Sequence, residues 1–106
     1  MALGMTRSEA DETGERGTNQ SKQMKTTSGW ESRSGTNTSG FSGLPGGCRF
    51  DNGTFIELGE SGYWWSSTEY SANGAWYRRL YYFGNHYVIR DSYNKELGFS
   101  VRCVRD

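Results

Sequence analysis

The fold is decided by two aromatic stretches, Gly62-Tyr-Trp-Trp-Ser-Ser-Thr-Glu69 and Ala75-Trp-Tyr-Arg-Arg-Leu-Tyr-Tyr-Phe83. Each stretch crowds large rings among short polar or charged side chains, a pattern that predicts β-strands. Gly84-Asn85 follows as a hairpin-turn signal, and His86 to Arg90 is the predicted return strand. The chain is therefore expected to form an antiparallel sheet around these strands.

The tryptophans of these stretches predict how the sheet is covered. Consecutive strand residues point to opposite faces, so Trp64 and Trp65 cannot both enter one core. One of them is expected in the core, and the other either packs under a loop or forms a platform for a ligand. Trp76 is expected in the core, because a small domain needs large buried side chains.

Shorter strands are predicted on both sides of the aromatic stretches. Cys48-Arg49-Phe50 and Thr54-Phe55-Ile56-Glu57-Leu58 flank an Asp-Asn-Gly turn signal. Phe99 to Val104 is predicted as the final strand, and Asp91 to Glu96 as a polar loop.

The first 40 residues differ from the rest, since Trp30 is their one aromatic residue. Thr6-Arg-Ser-Glu9 has capping-box spacing, which predicts a helix from Arg7 to Thr13 that ends at Gly14. A second helical turn is predicted from Gln20 to Lys25. The chain is thus expected to be one α+β domain over residues 1–106, with a helical and loop-rich flank at 1–40 and an antiparallel sheet core at 41–106.

Size, charge and motifs restrict the function. A chain of 106 residues with 33% hydrophobic residues is one modest domain. Its net charge of +0 argues against nucleic acid or an anionic membrane as the main partner, and no apolar run suits membrane insertion. No nucleophile elbow or phosphate loop is present. We therefore expect a protein that is not an enzyme, with no catalytic residues and no cofactor.

Cysteine and histidine usage gives little support for a metal site. His86 is the one histidine, no Cys-x-x-Cys pair occurs, and no metal is expected. Cys48 and Cys103 have two readings that the sequence leaves open. A disulfide between them would close a loop of about 55 residues and stabilise the fold by about 4 kcal/mol in the chain-entropy model. Otherwise both are thiols.

A binding surface is predicted on the C-terminal hairpin. Tyr77, Arg79, Tyr81 and Phe83 share one strand face, and neither face of that strand is purely polar. Tyrosine and arginine are enriched where proteins recognise partners. The predicted ligand-binding residues are Tyr77, Arg79, Tyr81, Phe83, His86, Tyr87, Asp91 and Tyr93. The alternative is that these rings pack against the flank or against a second copy of the chain.

Three blocks of the sequence resemble one known family. They are Gly40-Phe-Ser-Gly-Leu-Pro-Gly-Gly-Cys-Arg49, Gly62-Tyr-Trp-Trp-Ser-Ser-Thr-Glu69 and Gly98-Phe-Ser-Val-Arg-Cys-Val-Arg-Asp106. In this order they resemble the signatures of the Fibrobacter succinogenes major paralogous domain. The resemblance implies a C-type lectin-like fold and an extracellular or cell-surface location in bacteria. The calcium-dependent sugar motifs of true lectins are missing, so the resemblance implies neither calcium nor sugar binding.

The resemblance also concerns the start of the domain. Family members usually begin with a strand, a turn and a helix that are not found here, so the chain is expected to correspond to the C-terminal portion of the domain. In the family, the C-terminal cysteine tends to pair with one in that opening. The resemblance therefore implies either that Cys103 pairs with Cys48 or that Cys103 is unpaired. The uncovered edge favours dimerisation or a covering chain.

A second resemblance concerns function. The chain is similar to variable proteins of diversity-generating retroelements, in which adenine mutagenesis of Asn codons cannot yield Lys, Glu, Gln, Met or Trp. None of these five residues occurs from Tyr77 to Asn94. Together with the aromatic hairpin residues, the resemblances predict a non-enzymatic module that binds an unidentified protein or glycan through its C-terminal hairpin and loops. The alternative is a structural domain that self-associates as a homo-oligomer in a surface protein.

Overall fold

The computed structural model describes residues 7–31, 34–81 and 88–102. Its elements, in chain order, are α1 (Arg7–Ala10), β1 (Gly14–Arg16), α2 (Gln20–Met24), β2 (Cys48–Arg49), β3 (Phe55–Ile56), β4 (Ser61–Glu69), β5 (Gly74–Tyr81) and β6 (Val88–Asn94). Four strands form one antiparallel sheet in the order β1-β6-β5-β4, and β2 pairs with β3 in a separate small ladder. The described chain is therefore mostly antiparallel sheet with little helix.

The N-terminal flank is less helical than its sequence suggests. Helix α1 ends at Ala10 instead of Thr13, which fits its lack of an apolar face that could dock it. Gly14 does not simply end a helix, because with φ +84° it begins β1. This three-residue strand pairs with β6. Sequence reasoning missed β1. Helix α2 confirms the predicted turn, although it ends at Met24.

The observed ends of the strands also differ from the predicted ends. The polar loop predicted from Asp91 is wrong as far as Asn94, because the β5–β6 ladder continues through the pairs Trp76–Ser92 and Ala75–Tyr93. Near the C-terminus, the described residues of the predicted last strand form no ladder, and Ser100 makes an isolated bridge to Trp64.

The four-stranded sheet is covered on both faces. The front face carries Tyr63, Trp65 and Tyr77, and the β2–β3 ladder lies over it. The front core contains Cys48, Phe50, Ile56, Tyr63, Trp65, Tyr77 and Phe99. The back face carries Trp64, Leu80 and Val88, and segments between residues 24 and 43 lie over it. The back core contains Met24, Trp30, Phe41, Trp64, Leu80 and Val88.

The tryptophans divide between these faces as the strand period requires. Trp64 lies in the back core with Phe41 edge-on at 5.4 Å, whereas Trp65 packs on Phe99 at 4.2 Å on the front face. The prediction that they point to opposite faces is confirmed. The prediction that Trp76 lies in the core is wrong. Its indole is half-buried near the end of the back face, where it packs against Tyr70 and Arg90 and belongs to neither core cluster.

The flank is fixed to the sheet by a buried lysine and a tryptophan. Lys25 is fully buried, and its Nζ donates a hydrogen bond to the carbonyl of Tyr81 at the end of β5. The same ammonium lies 4.8 Å from the ring centroid of Trp30, whose indole donates to the carbonyl of Gly43 at 3.1 Å. A buried charge is tolerated only with such partners. Among the described helices, none is long and apolar enough to cross a membrane.

Candidate functional site

The predicted binding residues that the structure describes do not form one patch. Phe83, His86 and Tyr87 lie outside the described residues. Tyr81 and Tyr93 are far apart, because Tyr93 lies opposite Ala75 near the start of β5 and Tyr81 is at its end. At about 3.3 Å per strand residue this separation is about 20 Å. A single small ligand cannot contact both ends.

Tyr77 belongs to the core and not to a binding surface. It is 7% exposed, and its ring lies 5.1 Å from Phe99 and 5.9 Å from Tyr63. Burial, followed by the charge of Asp91, raises the pKa of its phenol. The expectation that Tyr77 is presented to a partner is therefore corrected, because the β2–β3 ladder and Phe99 cover this part of the strand face.

Arg79 is held by neighbours inside the protein. Its guanidinium forms an ion pair with Glu57 at 2.9 Å and donates to Ser61 Oγ at 3.2 Å. It also lies between two rings, 4.9 Å from Tyr63 and 4.2 Å from Tyr81. Arg79 and Glu57 are 20% and 21% exposed. This guanidinium is therefore committed to the fold, and Tyr81 is its half-buried partner.

Glu57 joins this network to the front core. Its backbone adopts φ +63°, an uncommon conformation for a residue with a side chain. Its carboxylate accepts hydrogen bonds from the guanidinium of Arg79 and from the phenol of Tyr63. Burial, followed by the hydrogen bond to Glu57, raises the pKa of Tyr63 well above its ordinary value. The neutral phenol is thus the form that the folded protein requires.

We expect the Tyr63→Phe variant to lose about 1–2 kcal/mol of stability near neutral pH, because the Glu57 carboxylate loses a donor. The deficit should shrink as the pH rises above about 10. Above that pH the unfolded wild type releases the Tyr63 proton while the folded state keeps it, so the stability of the wild type falls; phenylalanine does not titrate. Urea unfolding of both proteins across alkaline pH measures this, and a deficit that grows with pH would contradict it.

Among the predicted binding residues within the described ranges, Tyr93 is the exposed one. Its side chain is 48% exposed, and its ring lies 6.3 Å from Tyr77. Tyr77 contacts Phe99, which contacts Trp65, so Tyr93 ends a continuous row of packed rings. Asp91 is half-buried, and its carboxylate accepts from the backbone N–H of Ser92 at 2.8 Å. The row of rings gives Tyr93 a rigid base.

A pocket lies beside Tyr93 because β4 bulges. The four-residue step from Trp65 to Glu69 lies opposite the two-residue step from Tyr77 to Ala75. Such bulges bend a strand and redirect its side chains. Here the bulge opens a cavity of about 300 Å³. It is lined by Trp65, Ser66, Ser67, Glu69, Ala75 and Lys95.

The pocket combines an apolar wall with polar and charged groups, and hydrogen bonds hold the residues that line it in place. Lys95 pairs with Glu69 at 2.5 Å, and the backbone N–H of Lys95 donates to the carbonyl of Asn73 at 2.8 Å. An indole wall, two hydroxyls and an ion pair suit a ligand with one flat apolar side and several hydrogen-bonding groups. Sequence reasoning missed this pocket. The signal was the run Ser66-Ser67-Thr68, in which three consecutive hydroxyl side chains follow three consecutive rings in one strand.

The remaining predicted site residues concern metals and thiols. Cys48 is a buried free thiol, and burial, followed by the charge of Glu57, raises its pKa. Cys103 lies outside the described residues. Within the described ranges, no group of three or more His, Cys, Asp or Glu residues could hold a metal ion.

Comparisons with known proteins give one match. The model of the Fibrobacter succinogenes major domain (Fib_succ_major) matches residues 1–105. No curated protein and no solved structure matches the chain significantly.

Proposed function

Because the chain belongs to the Fibrobacter succinogenes major domain family, we propose that it is a non-enzymatic binding module of an exported or cell-surface bacterial protein, with a C-type lectin-like fold. One observation carries this proposal: the half-exposed Tyr93 ends a row of packed rings beside the bulge pocket. The binding surface consists of Tyr93 and the residues that line this pocket.

The chemistry of this surface favours recognition over catalysis. Tyrosine offers a large contact area with little loss of rotamer freedom, and its hydroxyl can form hydrogen bonds with a ligand. The pocket adds the Trp65 indole and the hydroxyls of Ser66 and Ser67. The ligand is a protein or glycan segment that lays a flat apolar side on these rings and hydrogen-bonds to the hydroxyls.

The position of Tyr93 is also consistent with a diversified receptor. It lies in the segment from Tyr77 to Asn94, which lacks the five residues that adenine mutagenesis of Asn codons cannot produce. Diversification would alter exposed positions such as 93, while the buried aromatic residues would maintain the fold. Pyrimidine-ended codons in this segment, beside a near-copy rich in AAY codons, would support this origin.

We expect the Tyr93→Ala variant to lose at least tenfold in affinity for its ligand, since truncating an aromatic hot-spot residue costs about 2 kcal/mol or more. Wild type and variant are compared on a glycan array and a panel of displayed peptides. Phe55→Ala is the matched control, because Phe55 is an aromatic residue 78% exposed and away from the pocket. A Tyr93→Ala protein that keeps every wild-type signal would refute the proposed site.

A second candidate function is structural self-association, and the exposed apolar side chains favour it. Leu44, Phe55, Leu58 and Val101 are 61%, 78%, 81% and 69% exposed. Exposed apolar patches mark association surfaces in many proteins. Light scattering separates the two functions: a stable oligomer that Phe55→Ala dissociates supports self-association, whereas a monomer supports the binding module.

A further inference from the structure

Three arginines from three neighbouring strands lie on the back face of the sheet. Arg78 on β5 pairs directly with Arg90 on β6. Arg16 on β1 pairs with Val88, one row further along the same face. Like charges directly opposite each other destabilise a sheet. The fold therefore maintains a concentration of positive charge here at a cost in stability.

The hydrogen bonds of these arginines go to carbonyl groups, and the carboxylates of Asp11 and Glu12 offset their charge only in part. Arg16 donates to the carbonyls of Val88 at 2.6 Å and Ala10 at 3.2 Å, and Arg90 donates to the carbonyl of Asp11 at 2.7 Å. A carbonyl carries no net charge. In the part of the chain that the structure describes, no carboxylate forms an ion pair with these arginines, and the Asp11 carboxylate pairs with Arg7 instead.

Burial makes this arrangement still less favourable. Arg16 is 7% exposed, and Arg78 and Arg90 are half-buried. The Nε of Arg90 is buried and has no hydrogen-bond partner among the described atoms. Burial and then the neighbouring arginines lower the pKa of Arg16 to about 10, and burial and then Arg90 lower that of Arg78. A bound anion would reduce the repulsion between the arginines and accept hydrogen bonds from their unpaired N–H groups.

Trp76 orients part of this cluster. The guanidinium of Arg90 lies 4.0 Å from the Trp76 ring centroid, and Tyr70 packs edge-on against the same indole at 5.3 Å. Stacking fixes the plane of a guanidinium and leaves its N–H edge free for the oxygens of an anion. This accounts for the half-buried position of Trp76, which the core does not require.

We propose that Arg16, Arg78 and Arg90 form a binding site for a tetrahedral oxyanion of the phosphate or sulfate class. Several guanidinium groups match the several oxygens and the double charge of such an ion. The site lies on the back face, whereas the bulge pocket beside Tyr93 lies at the front. The proposal therefore goes beyond the proposed function and does not depend on it.

Thermal unfolding of the whole chain in inorganic phosphate tests this site. At constant ionic strength, replacing chloride by phosphate or sulfate should raise the Tm of the wild type by about 5 °C, since a ligand stabilises the state that binds it. Acetate should raise it less. Arg78→Gln should abolish the phosphate response. In chloride this variant should be at least as stable as the wild type, because the repulsion from Arg90 is gone.

The control is Arg49→Gln, which removes an exposed arginine on β2 and should keep the full response. The proposal is overturned if phosphate and sulfate leave the wild-type Tm unchanged, if acetate acts as strongly as they do, or if Arg78→Gln still responds. It is also overturned if Arg49→Gln loses the response equally. If Arg78→Gln does not fold, the phosphorus NMR line of inorganic phosphate is measured with the wild-type protein, and it must broaden when the protein is added. A line of unchanged width overturns the proposal.

Discussion

The Gly47→Ala variant is expected to lose about 4 kcal/mol of stability, a large part of the roughly 5–15 kcal/mol that keeps a typical domain folded. Gly47 has φ +66°, and a Cβ there would overlap the carbonyl oxygen of Ile56 and lie 2.9 Å from the backbone nitrogen of Leu58. These are backbone atoms, so no side-chain rotation relieves the overlap. Urea unfolding followed by tryptophan fluorescence measures the loss.

This position matters because Gly47 joins the two ladders. Its N–H donates to the carbonyl of Ser61 at 2.7 Å, and the next residue, Cys48, pairs with Ile56. Moving Gly47 would therefore separate the β2–β3 ladder from the front core that it covers.

Gly40→Ala is the matched control for this prediction. Gly40 has a similar φ of +76°, but a Cβ there would meet nothing within 4 Å. It should lose only about 1 kcal/mol, the cost of the left-handed conformation alone. Equal losses in the two variants would show that the close backbone approach at Gly47 is unimportant.

The Arg79→Met variant is expected to lose about 3 kcal/mol while keeping its ligand-binding ability in the folded fraction. Methionine preserves much of the apolar contact with Tyr63 and Tyr81, but it leaves the Glu57 carboxylate with one fewer donor. The loss is smaller than for a fully buried pair, because both side chains keep about a fifth of their exposure and solvent screens their charges. Denaturant unfolding gives the loss, and array binding gives the retained function.

Two variants refine this prediction. Glu57→Gln combined with Arg79→Met should lose less than the sum of the single losses, with a coupling above about 1 kcal/mol. Lys95→Met removes the exposed pair with Glu69 and should change stability by at most about 0.5 kcal/mol. An Arg79→Met protein that is as stable as the wild type but no longer binds would make Arg79 a ligand contact, contrary to its placement here.

The central part of the fold could be predicted because strand alternation is a local property. The first aromatic stretch lies in β4 and residues 75–81 of the second lie in β5, and Trp64 and Trp65 point to opposite faces. The family resemblance was likewise carried by short blocks of residues, and the match over residues 1–105 confirms it.

The exposure of each ring could not be predicted, because it depends on which distant segment lies over it. Tyr77 and Tyr93 share the front face, yet the β2–β3 ladder and Phe99 cover the first and leave the second at the edge. Arg79 looked like a recognition residue because its partner Glu57 is 22 positions away in sequence. The bulge in β4 depends on register, which pairing between strands decides.

The most direct test of the account is to locate the bound ligand by amide NMR, using the strongest glycan or peptide from the array comparison. We predict that the largest shifts fall on Tyr93, Ser66, Ser67 and the indole N–H of Trp65, with little change around Phe55. Shifts that spare Tyr93 and the bulge pocket and cluster on the β2–β3 ladder would contradict the proposed binding surface.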